Sequence, residues 1–106
     1  MDKIQLGFWC QEKAINIEHI TWTIFDLENF DGSDLFSSDF IRENPFTTMI
    51  STLTAVYNHK SSVEKENINK FIDRNSFCLK LSIDDIVSKY DKETFESIYT
   101  EWEKLL

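Results

Sequence analysis

The sequence predicts an all-α fold, a compact single-domain bundle of about five to seven short helices spanning residues 1–106. Three observations predict it. Gly and Pro number only 2 and 1, whereas an all-β domain of this size draws on many tight turns built from Gly, Pro and Asn. Hydrophobic residues make up 42% of the chain and aromatics 14%, which supplies a core and sets the chain apart from disordered sequences. Several stretches repeat apolar residues at i, i+3, i+4 and i+7 behind a capping residue.

The first 30 residues support two readings. In the helical one, Asn16 caps, Ile17, Ile20, Ile24 and Leu27 form the stripe, and Gly32 terminates. In the other, Ile4, Leu6, Phe8 and Cys10 alternate, as do Ile20, Trp22 and Ile24. Phe77, Leu79, Leu81 and Ile83 alternate in the same way. The alternative fold is therefore α+β, with a small antiparallel sheet from residues 3–10, 17–25 and 77–83. The scarcity of turn residues favours helices.

The later elements follow in order. Asp34 to Arg42 predicts a short helix with Leu35, Phe36, Phe40 and Ile41 inward. Residues 45–59 predict a helix opened by Asn44 as cap and Pro45 at the first helical position, where its missing N–H costs nothing. Phe46, Ile50, Leu53 and Tyr57 form its face, and five Thr and Ser residues (47, 48, 51, 52 and 54) make it depend on tertiary packing. Ser62 is expected to open the next helix without a reciprocal Glu, with Val63, Ile68, Phe71 and Ile72 on its apolar side. Ser82 caps a short helix carrying Ile83, Ile86, Val87 and Tyr90. Asp91 caps the last, whose stripe is Phe95, Ile98, Tyr99, Trp102, Leu105 and Leu106.

Formal net charge is −8. This balance disfavours direct nucleic-acid binding and anionic membranes, which need Lys and Arg, and favours capture of a basic partner. No stretch approaches a membrane span. Residues 1–7 lack the apolar core of a signal peptide, so the expected location is the cytoplasm, with Cys10 and Cys78 as free thiols in the core.

Catalytic and metal-binding patterns are not matched. His19 and His59 are the two histidines, and with two distant cysteines they do not make a zinc set. An EF-hand register with Gly32 sixth puts Leu27 first and Ser38 twelfth, and neither supplies the required carboxylate. Gly7 and Gly32 are too isolated for a phosphate loop, and no G-x-S-x-G elbow occurs. A thiol–imidazole pair of Cys10 or Cys78 with a histidine has no local support. The reading is a non-enzyme with no metal and no cofactor.

Charge is unevenly placed. Residues 14–41 hold Glu18, Asp26, Glu28, Asp31, Asp34 and Asp39 and no Lys or Arg. From Phe25 to Phe40 carboxylates alternate with bulky apolar residues. Carboxylates accept bidentate bonds from Arg, and rings supply interface area at low entropic cost. The candidate partner-binding residues are therefore Asp26, Glu28, Phe30, Asp31, Asp34, Phe36 and Asp39. The competing reading puts Phe25, Leu27, Phe30, Leu35, Phe36 and Phe40 in the core and leaves the acids as caps and solvated loop positions. A second acidic face carries Asp84, Asp85, Glu93 and Glu96, where attraction to helix N-termini already accounts for the charge.

In size, acidity and lack of catalytic motifs the chain resembles the small cytoplasmic immunity proteins that bacteria make against nuclease toxins. The resemblance is one of type and carries no residue across. It implies an acidic protein that binds a basic toxin, contact-dependent or colicin-like, and occludes its active site. A phage-encoded nucleic-acid mimic that inhibits a host nuclease shares the same chemistry. A non-catalytic helical adaptor subunit is the third expectation, and its mark is an exposed apolar patch.

Overall fold

Asp2 starts the first helix. Its carboxylate accepts from the Gln5 backbone N–H at 2.8 Å, and the Gln5 side chain accepts from the Asp2 N–H at 3.2 Å. This reciprocal cap satisfies two donors that would otherwise lack partners. Helix α1 then runs Lys3–Leu27. At 25 residues it is roughly 37 Å long, close to the 40 Å long dimension of the molecule. The computed structural model describes residues 2–28, 37–76, 85, 88 and 92–106.

The strand alternative is overturned over 3–10 and 17–25, since both lie inside α1; 77–83 lies outside the described residues. The helical reading is corrected too. Asp2, not Asn16, is the cap, and the helix ends at Leu27. Alternation here was coincidental. Leu6, Cys10, Ala14, Ile17, Thr21 and Phe25 face the core, and this i, i+3, i+4 series is what burial selects.

Ser37 caps α2 (Ser38–Glu43) by accepting from the Phe40 N–H at 3.1 Å. Ile41 is buried and Phe40 is half-buried against the core; Leu35 and Phe36 lie outside the described residues. Asn44 then breaks the helix at φ −130°. Pro45 opens α3 (Pro45–Val56) as expected. The Asn44 side chain does not cap α3, however. It donates backward to the Phe40 carbonyl at 3.1 Å, closing α2.

On α3 the inward set is Phe46, Thr48, Met49, Thr52, Leu53 and Val56. Ile50 is only half-buried. Thr48 and Thr52 can be fully buried because each hydroxyl donates within the helix, to Asn44 O at 2.9 Å and Met49 O at 2.7 Å. A 3-10 turn, Tyr57–His59, follows.

Helix α4 is Ser62–Asn75, and its cap is Ser61 rather than Ser62. From that register Glu64 is the third helical residue, and both arms of a capping box form, at 3.2 and 3.3 Å. Ile68 and Phe71 face inward, while Val63 is 67% exposed and is not part of the core. Of the short helix expected after Ser82, Asp85 and Ser88 are helical; the rest lies outside the described residues, as does the expected cap Asp91.

Helix α5 (Lys92–Leu105) buries Phe95, Tyr99 and Trp102, as its stripe predicts. The five helices described above contribute to one core, in which α1 packs on α2 and α3, and α5 on α3 and α4. Phe95 is its hub, meeting Trp9 edge-on at 5.4 Å and Phe46 edge-on at 5.7 Å. The buried Trp102 indole donates to Met49 O and Thr52 Oγ1, each at 2.9 Å. Its one polar atom is thereby satisfied inside the core. The Cα radius of gyration, 13.6 Å, is near the ~13 Å of a folded 100-residue domain.

Candidate partner-binding surfaces

Side chains chosen by sequence for docking divide three ways. Asp26, on the last turn of α1, and Asp39, on the first turn of α2, are exposed. Glu28 is half-buried and meets His59 Nε2 at 2.6 Å. Phe30, Asp31, Asp34 and Phe36 lie outside the described residues.

The acidity of this stretch is partly compensated from elsewhere in the chain. Arg42 of α2 reaches Glu18 of α1 at 2.8 Å. The Ser38 hydroxyl and the Arg42 guanidinium together hold the Glu18 carboxyl below its ordinary value of 4.5, against the opposing effect of burial. The two ring-bearing residues of the stretch that are described, Phe25 and Phe40, pack inward, and Trp22 meets Phe25 edge-on at 6.2 Å. Leu27, by contrast, is 75% exposed beside Asp26.

The second acidic face lies on α5. Glu93 and Glu96 are exposed, and a shallow groove between the end of α4 and α5 is lined by Arg74, Asn75, Glu93, Ser97 and Glu101. Arg74 pairs with Glu101 across it, and Lys92 lies 3.7 Å from Glu96. Asp85 is half-buried and Asp84 lies outside the described residues.

Cations and carboxylates are used differently. Lys13, Lys65 and Lys92 lie over aromatic rings, the closest being Lys13 at 4.7 Å from the Tyr99 centroid. Arg42, Lys60, Lys70 and Arg74 pair with carboxylates. Glu12, Asp26, Asp39, Glu43, Glu93 and Glu103 are exposed with no ion pair among the described residues. Among the described residues the surface therefore keeps carboxylates available while the cations, Lys3 and Lys104 excepted, are engaged within the chain.

A third surface was not singled out by sequence. Ile4 is 72% exposed, Phe8 67% and Ile15 40%. At about 100° per residue they fall within roughly 40° of one another on the outer side of α1. The i, i+4, i+11 spacing carries this signal, but Ile4 and Phe8 had been read as an alternating run. Gly7 lies about 60–100° around the helix from the stripe, toward the core-facing side. A Cβ built on it meets nothing within 4 Å among the described residues.

Cys10 is buried and free, and burial pushes its thiol up to about 11, so it stays protonated near neutrality. His19 is exposed on the opposite side of the same helix, so the two do not form a thiol–imidazole pair. Among the described residues no three His, Cys, Asp or Glu side chains gather around a metal position, and no helix is long and apolar enough to cross a membrane.

No family model, curated protein or solved structure matches the chain.

Proposed function

We propose that this protein binds and inhibits a basic protein, and that it is an immunity protein neutralising a bacterial nuclease toxin in the cytoplasm by occluding the toxin's active site. The observation that supports this reading is the imbalance between committed cations and available carboxylates. Asp26, on the last turn of α1, and Asp39, on the first turn of α2, are exposed. They offer charge for Lys and Arg, and Leu27 next to Asp26 offers apolar area for an anchor. A net charge of −8 adds long-range attraction that speeds encounter with a positive surface. No catalytic step is assigned to the protein; it acts by covering.

The test is capture of the native partner at low and high salt, followed by association kinetics. The double variant Asp26→Lys/Asp39→Lys should associate on the order of tenfold more slowly at low salt and melt at the same temperature. A captured partner that is acidic, or an association rate indifferent to salt and to the reversal, would sink the reading. The exposed stripe of Ile4 and Phe8 favours a second reading, a non-catalytic helical adaptor subunit. That reading requires a complex whose formation does not weaken with salt.

A further inference from the structure

We draw no further inference here: the strongest candidate, the exposed apolar stripe of Ile4, Phe8 and Ile15 on the outer side of α1, carries nothing because nothing in the structure shows what covers it.

Discussion

Thr21 lies fully buried on α1, and its hydroxyl has no hydrogen-bond partner among the described residues. Thr48 and Thr52, equally buried, each return a hydrogen bond to their own helix. The difference has an energetic consequence. An unmatched buried hydroxyl forfeits its hydration without recovering it. Thr21→Val keeps the branched shape and removes the polar atom. It should stabilise the protein by about 1–2 kcal/mol, seen as a higher urea midpoint at unchanged m-value. A lower midpoint would mean that Thr21 has a polar partner after all. Other single residues are spent on closure. Asn44 was expected to serve the helix after it and instead seals the helix before it.

At the scale of elements, caps decide where helices begin. Ser61 and Glu64 bond each other's backbone at the start of α4. Ser61→Ala removes one arm and should cost about 1 kcal/mol, measured by thermal or urea unfolding. Ser62→Ala, the neighbouring hydroxyl, should change stability by a few tenths of a kcal/mol at most. If the two variants behave alike, the cap has been placed one residue wrongly. The sequence reading made that very error, since it took Ser62 as the cap and so missed the Glu three places after Ser61. It was more successful where one signal dominated. Pro45 marked the start of α3, and the stripe from Phe95 to Trp102 marked the inner face of α5. It faltered on α1 because that helix is apolar on two sides. With Ile4 and Phe8 outside and Leu6 and Cys10 inside, neither the helical nor the strand period stands out. The pairs Arg42–Glu18 and His59–Glu28 join residues 24 and 31 positions apart, and spacing along the chain holds no trace of them.

For the molecule as a whole, the Ser38 hydroxyl and the Arg42 guanidinium of α2 hold Glu18 of α1, tie a short helix to a long one and make stability respond to acid. Glu18 on α1 is ionised more readily when folded than when unfolded. Its contribution is therefore complete above its ordinary value of 4.5 and is lost as pH falls through the lower folded value. Glu18→Gln should be less stable than wild type at neutral pH, and the gap should close as pH drops below 4.5. Urea unfolding at several pH values measures it. A gap that stays constant across that range would assign the effect to packing rather than to charge.

The two-sided character of α1 bears on how the chain finds a single arrangement. Turning that helix about its long axis would trade one greasy set for another, so water repulsion alone chooses weakly between them. Bulk chooses instead. Three of the six inward positions hold Cys10, Ala14 and Thr21, side chains slim enough to let neighbouring helices come near, and a phenyl or sec-butyl group would jam at those three. Steric fit, more than oiliness, selects which side of α1 turns inward.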